Sequence, residues 1–257
     1  MRLIVTTSQS VKKESDILKE FIKETEIEYV PRNRKSIAVL SAENDAQGII
    51  VWHDEGPVLH VGEEKLFFHP SMAKNRLASY RKYQTEDLLI KACEIKNSDS
   101  FLDCTLGMGA DAIVASYFSD KPVLGLESSF PIAVIIKWGM KTYQTRIPWL
   151  TEPIKKIEVC HRNHYEFLKE LKDDSLDIVY FDPMFRQPLM ASKPINALRA
   201  IADPSPVTRE SIAEACRVAR KKVVMKEQVK SSEFEKLNFN KVFHSPHNRI
   251  GYGIITV

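Results

Sequence analysis

Three carboxylates stand at the ends of apolar runs, in the order Asp103, Glu127, Asp182. The first closes Phe101-Leu102 and opens Asp103-Cys104-Thr105-Leu106-Gly107-Met108-Gly109-Ala110-Asp111. The second ends Val123-Leu124-Gly125-Leu126-Glu127, and the third follows Ile178-Val179-Tyr180-Phe181 in Asp182-Pro183-Met184-Phe185. Open α/β sheets bind ligands at the carboxyl ends of their strands. Gly107 and Gly109 allow positive φ and a close approach to bare backbone. The helical run after them, Ala112 to Phe118, offers unpaired N–H groups at its start. Glu127, at the end of the second strand, is placed to accept both hydroxyls of a ribose.

Two cofactors suit this turn. Gly107, Gly109 and Ala112 satisfy the G-x-G-x-x-G/A dinucleotide pattern, which would make the chain an oxidoreductase. Dinucleotide sites, however, run an apolar strand straight into the first glycine, and here Asp103, Cys104 and Thr105 intervene. Asp-x-Thr-x-Gly-x-Gly fits S-adenosylmethionine better. Asp103 can meet the ammonium of its methionine moiety, and no pyrophosphate needs cradling.

Asp182-Pro183-Met184-Phe185 places a carboxylate, a rigid ring and an aromatic side chain together at a sheet edge. The exocyclic amine of a nucleobase needs such parts, because its lone pair is delocalised into the ring. A hydrogen bond to Asp182 and to a nearby backbone carbonyl draws that nitrogen toward tetrahedral geometry, and Phe185 stacks on the base. The methyl donor must then lie about 3–3.5 Å away, in line with its leaving sulfur. No strong base is required, since the nitrogen loses its proton after becoming cationic. A strand-ending Asp-Pro turn would look the same in isolation; following Asp103 and Glu127 in this order favours the site.

The elements that position these residues follow from periodicity and punctuation. The pattern predicts strands over 2–7, 26–30, 37–40, 48–53, 58–61 and 65–68, with a helix over 11–24. These make a small N-terminal α/β domain over 1–70, a candidate for substrate recognition. Residues 71–84 follow as a basic connector. It holds Lys74, Arg76, Arg81, Lys82, Tyr80 and Tyr83, which suit phosphate contact and base stacking or simply solvation. The domain over 85–257 reads as helix 85–95, the three strands above, helix 131–143, strand 155–161, helix 165–171, helix 206–219, strand 221–226 and a closing hairpin over 240–244 and 250–257. Asn163, after the strand at 155–161, can pair its amide with an adenine edge or serve as a turn former or helix cap. The long stretch 186–203, with Arg186, Lys193 and Arg199, reads as a substrate lid or a variable loop.

The chain has 257 residues, 44% hydrophobic and 28% charged, with a net charge of +3. This suits a packed globular protein and is compatible with a nucleic-acid partner. No run approaches the roughly 20 apolar residues of a membrane span. The start turns polar after Val5, so no signal peptide is expected and the protein is expected to be cytoplasmic. Cys93, Cys104, Cys160 and Cys216 are widely spaced, so neither a zinc site nor a disulfide framework is expected.

Taken together, the motifs of the catalytic half have the order of a class I methyltransferase. The chain resembles the bacterial small-subunit ribosomal RNA guanine-N2 methyltransferase J family over roughly residues 65–257. The matching stretches are Met72-Ala73 with its basic run, Asp103 through Asp111, Glu127, His161 through His164, Asp182-Pro183-Met184-Phe185, Lys221 through Lys226, and Arg249. The resemblance implies a Rossmann-like, mostly parallel sheet with an antiparallel C-terminal hairpin. It implies methylation of guanine N2 in RNA, and donor contacts from Ala110, Asp111, Glu127, Ser128, Asn163, His164 and Asp182. The chain departs from the family at Ser79 through Gln84, at Ala110, and at Arg186-Gln187 after Phe185, positions that border the base pocket. A methyltransferase for a small molecule or protein amine, and an idle RNA-binding protein on the same fold, are the other readings. Intact Asp103, Gly107, Glu127 and Asp182 speak against the last.

Overall fold

In a computed structural model, residues 1–10, 15–184, 201–246 and 248–257 are described, and they build two sheets. The first is formed by β1 (Leu3–Thr7), β2 (Glu28–Tyr29), β3 (Gly48–His53), β4 (Gly56–Val61) and β5 (Glu64–Leu66), in the order β2-β1-β3-β4-β5. β1 runs parallel to β2 and β3, whereas β3-β4-β5 is an antiparallel meander. Helix α1 (Asp16–Thr25) is capped by Ser15, whose Oγ accepts from Leu18 N–H at 3.3 Å, and it buries Leu18 and Phe21. The strand expected over 37–40 is instead the start of helix α2 (Ile37–Asn44). Ser36 accepts from Val39 N–H as its N-cap, a common helix-starting device. Leu40 and Ile37 then pack on Ile4, Ile49 and Val51. A four-residue apolar run has no periodicity long enough to separate helix from strand.

The stretch read as a connector is also helical, as α3 (Ser71–Tyr83), and is followed by α4 (Leu88–Cys93). The second sheet comprises β6 (Phe101–Asp103), β7 (Val123–Glu127), β8 (Ile157–His161), β9 (Leu176–Phe181), β10 (Ala219–Gln228), β11 (Lys241–His244) and β12 (Ile250–Thr256). Its order is β8-β7-β6-β9-β10-β12-β11. β6 to β10 are parallel, and β12 is antiparallel to both β10 and β11, so the C-terminal hairpin stands as expected. Around it lie α5 (Ala110–Tyr117), α6 (Phe130–Thr142), α7 (Pro148–Lys155), α8 (His164–Glu170), α9 (Arg209–Val218) and the single turn α10 (Glu233–Lys236). Alternate residues of the central strands face opposite layers. Phe101, Ile178 and Tyr180 join one core, and Leu102, Val179 and Phe181 the other. Burial on both faces explains why these strands are continuously apolar. The chain leaves β6 toward β7 and β8 and then crosses back to β9, so the sheet's switch point lies beside β6.

Helix α6 packs between the two sheets. Nearly every side is apolar, and Ile132 through Ile136, Trp138, Gly139 and Met140 are buried, as expected of a helix enclosed on all faces. Trp138 meets Phe21 and Trp52 of the first unit with ring centroids 5.4 and 6.1 Å away. Lys137 and Lys141 pair with Glu24 and Glu20 at 2.6 Å around this contact. The core is therefore continuous from the first sheet into the second. Among the described residues, no helix is long and apolar enough to cross a membrane.

Candidate active site

The loop between β6 and α5 is tied to both neighbouring strands. Cys104 N–H donates to Tyr180 O of β9, and Leu106 N–H to Leu126 O of β7, each at 2.8 Å. Gly107 and Gly109 have φ of +49° and +73°, the left-handed turn that their positions require. Gly109 is the residue from which α5 starts. Thr105 Oγ1 accepts from the Asp182 N–H at 2.5 Å, so the turn after β6 and the turn after β9 are fixed to one another.

A cavity of about 300 Å³ opens over these strand ends. Asp103 forms part of its floor and is 1% exposed. Among the described residues its hydrogen-bond donor is the Thr105 N–H, at 3.0 Å. Burial, and then the charges of Asp111 and Asp182, push its pKa well above the usual carboxylate range. A buried carboxylate in that state is relieved by a ligand cation. Glu127 accepts from Gly107 N–H at 3.0 Å on Oε2 and from Ser129 N–H at 2.9 Å on Oε1. Each oxygen keeps a lone pair for a hydroxyl donor. A carboxylate in want of a cation, a two-oxygen acceptor at the next strand end and a glycine turn between them fit the ammonium, ribose and backbone-facing edge of S-adenosylmethionine.

Between the strand ends and α3 runs a charged network. Lys226, near the end of β10, donates to Asp182 Oδ2 at 2.8 Å and to Asp111 Oδ2 at 2.9 Å. Tyr180 OH donates to the same Asp111 oxygen at 2.8 Å, and Arg76 of α3 donates to the other. Arg76 in turn is held by both oxygens of Asp87, at 2.8 Å each. Burial opposes ionisation of Asp111, but Lys226 and Arg76 overcome it and hold its pKa well below the usual range. Asp182 is pushed up to about 6, first by burial and then by the charge of Asp111, with Lys226 acting against both. Lys226 stays cationic, because the two carboxylates outweigh its burial.

The cavity gathers most of the residues picked from sequence. Asp103, Gly107, Ala110, Asp111, Glu127, Ser128, His164, Asp182 and Pro183 all line it. Gly109 shapes the turn from behind, facing Met140. Asn163 is exposed and caps α8, its Oδ1 accepting from Tyr165 N–H at 2.9 Å; it is not part of the described cavity wall. Asp111 reaches the wall with both oxygens already committed to protein donors. Phe185, Arg186, Lys193 and Arg199 lie outside the described residues. Lys226, Arg76, Tyr180 and Thr105 went unnoticed in these roles. The legible signal was Lys226, a charge directly after the apolar run Val223-Val224-Met225 of a central strand.

The basic turn Pro31-Arg32-Asn33-Arg34-Lys35 and the cations of 71–84 would form an RNA-facing track only if they bordered one cleft, and two of them do not. Arg76 points inward to Asp87 and Asp111 rather than toward solvent. Arg32 lines a cavity of the first sheet that shares no lining residue with the one over β6, so these cations do not border one cleft. Arg81 lies over the Trp149 ring and donates to Tyr117 OH at 3.1 Å.

A seven-stranded sheet of this order, with its ligand cavity over β6, β7 and β9, defines a class I Rossmann-like methyltransferase. The chain belongs to the family described as "Putative SAM-dependent methyltransferase", whose pattern matches residues 41–250, and S-adenosylmethionine is its methyl donor. It is 36% identical over 241 residues to the uncharacterised protein YpiP of Bacillus subtilis, covering 92% of each chain. It is 24% identical over 166 residues to the ribosomal RNA small subunit methyltransferase J of Hydrogenovibrio crunogenus, covering 63% of this chain and 59% of that one. The match to the protein of the same name from Acinetobacter baumannii is 26% over 103 residues, only 36% of that chain. The fold is shared with a SAM-dependent methyltransferase from Neisseria gonorrhoeae, with a TM-score of 0.63, 17% identity, and coverage of 98% and 95%.

Proposed function

We propose that this methyltransferase modifies an exocyclic amine of a nucleobase in RNA, guanine N2 of small-subunit ribosomal RNA. The observation that carries the reading is Asp182-Pro183-Met184 at the end of β9, in the same cavity as Asp103 and Glu127. The ionised Asp182 accepts a hydrogen bond from the amine and so localises its lone pair. Pro183 fixes the turn, and Phe185 supplies a ring on which the base stacks. When bound, the donor presents a methyl group on a sulfonium. Asp103 holds the ammonium end, Glu127 holds the ribose hydroxyls, and Ser128, His164, Ala110 and Gly107 wall the nucleoside. Asn163 contributes an amide once its cap is shared or broken. The partial likeness to proteins named as small-subunit ribosomal RNA methyltransferases supports RNA as the partner.

The test is mass spectrometry of nucleosides from ribosomal RNA of cells lacking the protein, with purified protein added back to the isolated small subunits. Loss of N2-methylguanosine and its return on add-back is expected. An unchanged nucleoside profile, with methyl transfer to a small-molecule or protein amine instead, overturns the RNA assignment and leaves the methyltransferase itself untouched.

A further inference from the structure

The first sheet borders a second and larger cavity, of about 720 Å³, which Gly139 and Tyr143 at the end of α6 also line. It arises because α2 covers only part of one face of the first sheet. Helix α2 lies over Ile4, Ile49 and Val51 on β1 and β3. The same face continues, by alternation, through His53 on β3, Val58 and His60 on β4, and Lys65 on β5. His60 is paired directly with Lys65, and Val51 with Val58. All four of His53, Val58, His60 and Lys65 line the cavity, and Arg32 closes it from the loop before α2.

Arg32 makes the cavity chemically unusual. Its Nε and Nη1 are shut off from solvent, and among the described residues they have no hydrogen-bond partner. These two atoms present no surface to the cavity, so an anion reaches them only when the guanidinium turns; leaving donors of a charged group buried and unpaired is unfavourable and favours that turn. Two histidines of the lining, His60 and His53, are shifted toward the neutral form. Burial lowers the pKa of His60 to about 4, helped by Lys65, His53 and Arg32. Burial also lowers that of His53, with Lys65 and Arg32 assisting and Glu55 and Asp54 opposing. Asp54 and Glu55 lie exposed in the β3–β4 turn at the cavity's rim. Phe67, also in the lining, is 45% exposed, its ring edge-on to His69 at 6.4 Å.

We propose that this cavity is a binding site for the phosphate group of a nucleotide, separate from the cofactor site, with Arg32, His60 and Lys65 on the phosphate and Phe67 beside the base. Guanidinium donors in a fixed fork suit phosphate oxygens. Exposed aromatic rings next to cations are the parts with which proteins hold nucleotides without reading sequence. The phosphate comes either from an RNA strand or from a free nucleotide. The site stands whatever amine the methyltransferase modifies.

Histidine NMR and calorimetry on the full chain, with inorganic phosphate, guanosine monophosphate and a short single-stranded RNA as separate probes, test it. Phosphate binding beside His60 should raise its pKa above about 4, read as a shift in the titration of its ring protons. Arg32→Met should weaken binding of every probe by about tenfold or more. It should leave S-adenosylmethionine affinity unchanged and the fold at least as stable, because it removes orphaned donors. RNA binding much more tightly than the monophosphate, with the difference lost in Phe67→Ala, identifies a strand track. Equal affinities identify a free-nucleotide site. Unaltered histidine shifts with all three probes, or equal affinity in Arg32→Met and wild type, overturns the proposal. Those results would not bear on the methyl acceptor, which the nucleoside analysis decides on its own.

Discussion

Lys226 Nζ lies 2.8 Å from Asp182 Oδ2, joining the middle of the charged network to the carboxylate proposed to meet the amine. The same ammonium holds Asp111 at 2.9 Å. Lys226 therefore favours the ionised form of Asp182, against burial and the charge of Asp111. A group pushed up to about 6 is mostly ionised above that pH and protonated below it.

The amine-acceptor role needs the ionised form. Turnover should fall about tenfold per pH unit below roughly 6 and level off above it. Replacing Lys226 with Met removes the cation that opposes the rise, so the acidic limb should move to higher pH. Asp182→Asn should lower turnover by about 10²–10³. Rates across pH for wild type and both variants, at saturating cofactor, measure this. An acidic limb at the same pH in Lys226→Met would detach the lysine from Asp182 ionisation.

Glu127 is expected to carry the ribose. Glu127→Ala should weaken binding of the demethylated cofactor by about 1.5–3 kcal/mol, the scale of hydrogen bonds to a charged group. The loss includes loosening of the turn, since Gly107 N–H and Ser129 N–H both donate to this side chain. Calorimetry reads it directly, and an unchanged dissociation constant removes Glu127 from the site.

That Asp103, Glu127 and Asp182 share one cavity is legible in the sequence because three carboxylates end three apolar runs in the order that the sheet requires. What was misread depended on partners distant in sequence. Lys226 meets Asp111 and Asp182 across 115 and 44 residues, and no local pattern announces such a pairing. Arg76 looked like one cation of a basic stretch; only folding shows Asp87 and Asp111 facing it. Helix α7 escaped notice because Pro153 lies inside it, a residue that ordinarily ends a helix. Asn163 was an open choice between adenine and cap, and the observed hydrogen bonds are those of a cap.

Asp177 offers a separate stability test at the other end of the sheet. Its side chain is 9% exposed and accepts from Ser100 N–H, Ser100 OH and Arg220. Arg220 foremost holds its pKa below the usual range. A depressed carboxylate stabilises the fold above its unfolded pKa of about 3.9, and the contribution fades as pH falls through the folded value. Asp177→Ala should therefore be less stable than wild type by about 1–3 kcal/mol at pH 7, with the gap narrowing below pH 4. Urea unfolding at pH 7 and pH 3 checks this, and a gap that widens in acid contradicts it.

The joint between the two units rests on Gly139. A Cβ built there would lie 2.2 Å from Phe68 Cβ and 3.2 Å from Phe68 Cγ. Neither is the free end of a flexible chain, so α6 and the segment after β5 would have to separate. Overpacking of this kind costs about 1–3 kcal/mol, against a helix-propensity gain of about 0.5–1 kcal/mol for alanine over glycine. Gly139→Ala should be destabilised overall. Phe68 is 7% exposed, and Phe68→Ala alone should cost about 3–5 kcal/mol by leaving a cavity. In the double variant the alanine at position 68 keeps the Cβ that meets the new methyl group, but the space left by the ring lets the two segments shift past one another, so the combined loss should be smaller than the sum of the two. Denaturant midpoints of the four proteins measure the coupling. Strictly additive losses would mean that Gly139 and Phe68 do not meet and that α6 is not the joint.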